Sequence, residues 1–156
     1  MRYKIYCDMD GVLANFAYKF KEVAGIEPEE YIKAFGQDAF WRECDSVKFW
    51  SEMPFERNAP MLWDYLHRKN VTLLTTPSPQ VTSRVGKILW KTKFLKGNPR
   101  IIFSHSKEDY ADSRSILIDD FKQNLDKWEA AGGIGVRCRN GNLTEVINKL
   151  EEILNE

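Results

Sequence analysis

The first apolar run of the chain, YKIYCDMDGV, closes on two aspartates, and a glycine follows them at once. Asp8 and Asp10 end this strand-like segment, Thr75 and Thr76 end a second, and Asp119 and Asp120 end another. Ser104, His105, Ser106 and Lys107 follow a fourth. If these segments lie parallel in one sheet, their carboxyl ends bring carboxylates, hydroxyls and an ammonium to the edge where open parallel sheets bind ligands. Asp8, Asp10 and Asp119 would form an oxygen-rich cluster without nearby His or Cys ligands. That donor set suits a hard cation that keeps several waters, most naturally Mg²⁺. Crowded carboxylates repel one another, and a divalent ion would hold several of them ionised together. A metal, the Lys107 ammonium and the Thr75 hydroxyl around one point make a site for a phosphoryl group.

The elements that must position these residues follow from pattern. Residues 14–23 read as a helix with Phe16 and Phe20 on one face, and Pro28, Gly36 and Pro54 divide residues 26–57 into short helical pieces. That segment is rich in large aromatics, among them Tyr31, Phe40, Trp41, Phe49, Trp50 and Phe55. Leu62, Trp63 and Leu66 mark an amphipathic helix that ends near Asn70, and residues 71–76 form a strand stopped by Pro77. Residues 81–95 make the next helix, with Val81, Val85, Ile88, Leu89 and Trp90 on its apolar side. Lys87, Lys91, Lys93 and Lys96 read as ordinary solvated lysines. Further strands are expected over residues 100–103, 115–118 and 134–138, with a helix between the last two. The final helix starts at Asn142, an N-cap with Glu145 three residues on. Short apolar strands alternating with helices predict a parallel sheet covered on both faces. The aromatic segment is too long for a simple crossover. The expected architecture is therefore α/β, a three-layer Rossmann-like parallel sheet with a small helical cap inserted after the first strand. The core comprises residues 1–15 and 58–156 and the cap approximately 16–57, all in a single domain.

Composition narrows the function. The 156 residues include 23 Lys+Arg and 23 Asp+Glu, so the net charge is zero. This argues against an electrostatically driven nucleic-acid binder, while leaving room for a local basic patch. No apolar stretch approaches the roughly 20 residues that span a bilayer. The opening MRYKIYCDMD meets charge and a polar break too early for a signal-peptide core. Cys7, Cys44 and Cys138 are odd in number and widely spaced, which suggests neither a disulfide framework nor a zinc site. The expected location is the cytoplasm, with reduced thiols.

Asp8-Met-Asp-Gly-Val12, Leu74-Thr75, Lys107 and Ile118-Asp119-Asp120, in this order, resemble the four motifs of the haloacid dehalogenase (HAD) superfamily of phosphohydrolases. The resemblance spans nearly the whole chain. It implies a HAD-type fold in which Asp8 is the nucleophile that forms an aspartyl-phosphate and Asp10 is the general acid and base. It places Mg²⁺ on the Asp8 carboxylate, the Asp10 main-chain carbonyl and Asp119, with Asp120 supporting the metal or a water on it. Thr75, with Thr76 beside it, and Lys107 would grip the phosphoryl oxygens. Within the superfamily the chain is most similar to the 5'(3')-deoxyribonucleotidases, through Asp8-Met-Asp-Gly-Val-Leu-Ala-Asn-Phe16, the cap after the first motif and Thr75-Thr76-Pro77. In that family cap aromatics stack on the nucleobase. Phe16, Phe40 and Trp41 match, and Phe49 or Trp50 would complete the pocket. The family often carries a lysine shortly after the second motif. This chain reads Ser78-Pro-Gln80 there, so either Arg84 fills that role or nothing does.

Blander roles compete for each residue. A lone D-x-D-G can be a turn with a cap, strand-end threonines satisfy backbone groups, and cap aromatics form a core. One of Asp119 and Asp120 is expected to cap the next helix. His105 is expected at the surface. The leading function is a Mg²⁺-dependent phosphomonoesterase of nucleoside monophosphates, deoxyribonucleotides first. The alternatives are a superfamily phosphatase for a sugar phosphate or a polynucleotide 3'-phosphate, and a non-catalytic phospho-acceptor module. The expected partner is a small phosphomonoester, with no membrane, no nucleic acid, and a homodimer as an option.

Overall fold

The computed structural model describes residues 2–155. Strands β1 (Lys4–Cys7), β2 (Val71–Thr75), β3 (Ile101–Phe103), β4 (Ser115–Asp119) and β5 (Ile134–Arg137) form one all-parallel sheet in the order β3-β2-β1-β4-β5. Ile5 stands opposite Val71 on one side and Ile116 on the other. The chain steps outward from β1 to β3, then returns across the sheet to place β4 beside β1. The strand order thus reverses between β1 and β4, the position at which doubly wound sheets open a crevice.

Both faces of the sheet are covered, which is why its strands read as apolar runs. Ile5, Cys7, Leu73, Ile116, Ile118 and Val136 join the larger core with α5 (Ala59–Leu66) and α8 (Leu143–Leu154). Alternate residues Tyr6, Leu74 and Leu117 enter a smaller core closed by Leu125 and Trp128 of α7 (Lys122–Ala130). Cys7, Cys44 and Cys138 are free thiols, and all three are buried. Helix α8 buries Val146, Leu150 and Ile153, as its period predicts. Its expected cap does not form. Asn142 accepts the Arg139 N–H at 2.8 Å and donates to Glu145 at 2.8 Å, so the two capping residues pair with each other instead of with helix N–H groups.

Four short helices lie between β1 and α5: α1 (Phe16–Ala24), α2 (Pro28–Phe35), α3 (Gln37–Glu43) and α4 (Val47–Ser51). Asn15 starts α1 by accepting the Tyr18 N–H, and Ser46 does the same for Phe49 in α4, each at 3.0 Å. The Asn15 N–H donates to the Pro54 carbonyl and the Glu56 N–H to the Leu13 carbonyl, both at 2.8 Å. These two bonds clip the entry of the inserted segment to its exit.

Helix α6 (Val81–Phe94) buries a different face from the expected one, and of the residues named for that face only Trp90 is inside. Val81, Val85, Ile88 and Leu89 are exposed, Val81 by 69% and Leu89 by 49%. Ser83, Gly86, Lys87, Trp90 and Lys91 are the buried residues. They have the same helical spacing as a conventional apolar stripe. The small ones explain the choice, because α4 packs on this face. A Cβ at Gly86 would overlap Trp50 Cβ and lie 2.8 Å from the Val47 carbonyl oxygen. Close backbone approach has taken precedence over side-chain hydrophobicity. Among the described residues no helix is long and apolar enough to cross a membrane.

Candidate active site

The sheet's carboxyl edge brings Asp8, Asp10, Thr75, Lys107, Asp119 and Asp120 together. Asp8 continues the β1 ladder, its N–H donating to the Ile118 carbonyl at 2.9 Å, so the Asp8 and Asp119 side chains leave from neighbouring strands. After Asp8 the chain turns sharply: the Met9 carbonyl accepts the N–H groups of Val12, Leu13 and Ala14. Gly11, at φ 86°, carries this turn, and a Cβ there would overlap the Asp120 carboxylate. The glycine is needed twice, for its dihedral and for its missing side chain.

One carboxylate oxygen from each of Asp8, Asp119 and Asp120 falls within 4.8 Å of the others. Lys107, buried in a 3₁₀ turn (Lys107–Tyr110), inserts Nζ between two of them, 2.9 Å from Asp8 Oδ1 and 2.9 Å from Asp119 Oδ2. Asp119 also accepts the Phe121 N–H on Oδ1 and the Asn124 amide on Oδ2, which fixes its plane. It therefore braces the turn into α7 instead of capping the helix. Burial pushes the Asp8 carboxyl well above the ordinary carboxylate range, against the pull of Lys107. Burial also lifts Asp120 to about 6. Burial alone would lower the Lys107 ammonium, but Asp8 and Asp119 outweigh it and hold the group charged. Three converging carboxylates with only one ammonium form a hollow that is short of positive charge. An all-oxygen donor set of this kind fits Mg²⁺.

A second buried lysine is the residue that sequence reasoning missed. Lys87 is fully buried, and its Nζ lies 3.0 Å from Asp10 Oδ2, 2.7 Å from Thr75 Oγ1 and 3.0 Å from the Thr76 carbonyl oxygen. The reading of Lys87 as solvated is thus corrected, and so is the candidacy of Arg84, which lies over the Phe103 ring at 5.4 Å. A long helical side chain leans toward its helix N-terminus. From the second turn of α6, Lys87 therefore reaches back to the end of β2. The signal available in the sequence was its place in the stripe Ser83, Gly86, Lys87, Trp90 and Lys91. Asp10 is left with Oδ1 buried and without a partner among the described residues. The Thr76 side chain is exposed, so that residue contributes only its carbonyl here, and His105 is exposed.

A cavity of about 390 Å³ opens beside Asp10 and Asp120, walled by Asn15, Phe16, Glu56 and Arg139. The cap aromatics divide around it. Phe16 lines the cavity and stacks on Trp50, with ring centroids 5.3 Å apart. Phe40, Phe49 and Trp50 are only 2–4% exposed and form the interior of the inserted helices. The expectation that they meet a ligand is corrected for this arrangement: a segment of four short helices needs a core of its own, and these rings supply it. Trp41 is half-buried and packs edge-on against Phe40 at 4.8 Å.

No family model matches the chain, and no curated protein matches it. Solved structures do. The fold is similar to that of solved HAD-superfamily hydrolases. A HAD-like family hydrolase from Porphyromonas gingivalis aligns at a TM-score of 0.60 and 15% identity, covering 100% of this chain and 99% of that one. A HAD-superfamily hydrolase from Ehrlichia chaffeensis gives 0.55 at 14% identity, with both chains fully covered. A HAD family enzyme from Bacteroides thetaiotaomicron, in complex with magnesium and inorganic phosphate, gives 0.51 at 14% identity over 91% of this chain and 96% of that one.

Proposed function

We propose that the chain is a Mg²⁺-dependent phosphomonoesterase of nucleoside monophosphates, 5'- and 3'-deoxyribonucleotides foremost, working through an aspartyl-phosphate. The observation that carries this reading is the pair Asp8 and Asp10, two residues apart, each held by a different buried lysine beside a hollow of three carboxylates. Lys107 grips Asp8 Oδ1 and leaves Oδ2 to attack phosphorus; the bond from phosphorus to the leaving oxygen then breaks. Lys87 holds Asp10 at Oδ2 and so orients the carboxyl that carries the proton the leaving oxygen takes. Asp10, now a carboxylate, accepts a proton from water as that water attacks the aspartyl-phosphate, releasing inorganic phosphate and regenerating Asp8. Thr75 and Lys107 hold phosphoryl oxygens. Asp8, Asp119 and Asp120, with the Asp10 carbonyl, would hold Mg²⁺, which neutralises phosphoryl charge when bound.

Residues 16–57 serve as the cap. The cavity it covers offers the Phe16 face and the polar groups of Asn15, Glu56 and Arg139, a combination that suits a nucleoside. The three buried free thiols fit a reducing compartment, the cytoplasm.

The test is phosphate release from 5'- and 3'-deoxyribonucleotides, ribonucleotides, sugar phosphates and a 3'-phosphorylated oligonucleotide, each with Mg²⁺ and with chelator. Deoxyribonucleotides should be the fastest substrates, and chelator should abolish turnover. Asp8→Asn should lose on the order of 10⁴-fold in kcat. Turnover that survives in Asp8→Asn would remove the nucleophile, and a sugar phosphate hydrolysed faster than any nucleotide would replace the substrate class.

A further inference from the structure

The opposite edge of the sheet holds a second cavity, of about 850 Å³, with a different chemistry. Six of its lining residues are cations: Arg2, Lys4, Arg68, Lys69, Arg100 and Arg114. They come from four separate segments, each at or just before the start of a strand, so the parallel topology itself gathers them. The strand β1 is four residues long, which puts this cavity about 13 Å from the active-site edge. It is a separate place on the molecule.

The charge here is not balanced locally. Among the described residues none of the six cations makes an ion pair; the six pairs present all involve other lysines. Two of the cations rest on aromatic faces, Arg114 over Tyr3 at 4.8 Å and Lys69 over Tyr65 at 4.5 Å. Among the described residues two carboxylates have contacts here. Asp112 accepts the Arg114 N–H, and Glu151 accepts the Tyr65 hydroxyl and feels Lys69. Helices α5 and α8 also end at this edge, and each helix C-terminus contributes about half a negative charge. Among the described residues, these two carboxylates and two helix ends stand against six cations, a local positive excess. In a chain of zero net charge this is a segregated patch, not a share of a general excess.

We propose that this cavity binds a small polyanion bearing two or three linked phosphates, the chemistry shared by nucleoside triphosphates and inorganic polyphosphates. Four of the six cations are arginines, whose planar forks grip phosphate oxygens in pairs. The volume lies in the range of small-molecule sites, and the cations converge on a hollow instead of running as a stripe along a surface. That convergence favours a compact polyanion over a nucleic-acid strand.

The proposal is tested by calorimetric titration of the whole chain, in chelator and low salt, with tripolyphosphate, a nucleoside triphosphate and a short single-stranded oligonucleotide. Both small ligands should bind. Equal affinities would mean that the phosphates alone are read, and tighter binding of the nucleoside triphosphate would add a contact to its base. Arg68 and Arg100 are exposed, so Arg68→Ser/Arg100→Ser should fold as the parent does. That variant should lose about tenfold or more in affinity for both ligands. Lys33→Ser/Lys48→Ser, which removes two positive charges from exposed residues that do not line this cavity, should bind them as the parent does. Three results would overturn the proposal: no binding at about 1 mM of either small ligand, undiminished affinity in the double arginine variant, or an oligonucleotide that binds more tightly than both.

Discussion

The two edges of one sheet treat positive charge in opposite ways. At the carboxyl edge Lys107 and Lys87 are buried, and every donor they direct at the site meets an oxygen between 2.7 and 3.0 Å away. At the amino edge six cations share a cavity without a single ion pair among the described residues. A buried ammonium is tolerable only where carboxylates and carbonyls replace its lost water. An exposed one keeps its water and can wait for a ligand. The first kind of lysine belongs to the folded state; the second is available to something outside it.

Removing Lys107 should break the comparison most severely. Asp8 and Asp119 are 10% and 0% exposed at the side chain, and Lys107 is the cation that bridges them. Lys107→Met leaves two carboxylates buried side by side, a loss of about 3–5 kcal/mol for stranding one half of a buried pair. Chemical denaturation should show this as a large drop in midpoint with little change in slope. Phosphate release should disappear with it.

Lys87→Met should come next. Its partner Asp10 is 30% exposed, so water can reach the carboxylate that the substitution strands, and the stability cost falls to about 1–3 kcal/mol. The functional loss has a signature that a purely structural role would not produce. Asp10 would no longer be aimed, so kcat should fall by about 10²-fold while KM moves little. A rise in KM at unchanged kcat would assign Lys87 to substrate binding instead.

Lys87 also shows where the sequence stops being legible. The carboxyl-edge residues could be named because chemistry and position coincide there: a carboxylate at the end of an apolar strand has few reasons to exist. The parallel sheet was equally readable, since alternation of short apolar runs with helices leaves little choice of topology. Helix α6 was not. Val81, Val85, Ile88 and Leu89 mark a face that stays in solvent, and the buried face is built from Ser83, Gly86 and two lysines around Trp90. Periodicity identifies a stripe but not which stripe turns inward when a small residue is needed for another helix to approach. The aromatics failed for a related reason. Phe40, Phe49 and Trp50 have the size and position of a stacking platform, yet they pack with Phe16 and Phe20 into the core that four short helices need.

The smallest effect should come from the amino edge, and it sharpens the contrast. Lys4 and Arg100 are exposed and unpaired among the described residues, so Lys4→Ser and Arg100→Ser have no partner to strand. Each should change stability by no more than about 0.5 kcal/mol. The sign should be favourable at low salt, because each relieves repulsion within the cluster, and the gain should vanish as salt screens it over about 10 Å and less. Thermal midpoints at low and high ionic strength measure this directly. If either variant cost as much as Lys87→Met, its cation would have to be held by groups inside the fold, and the amino edge would be a structural network like the carboxyl edge. A small rise in midpoint that salt erases would mean instead that the six cations are maintained at a slight cost to folding, as expected of charges kept for a ligand.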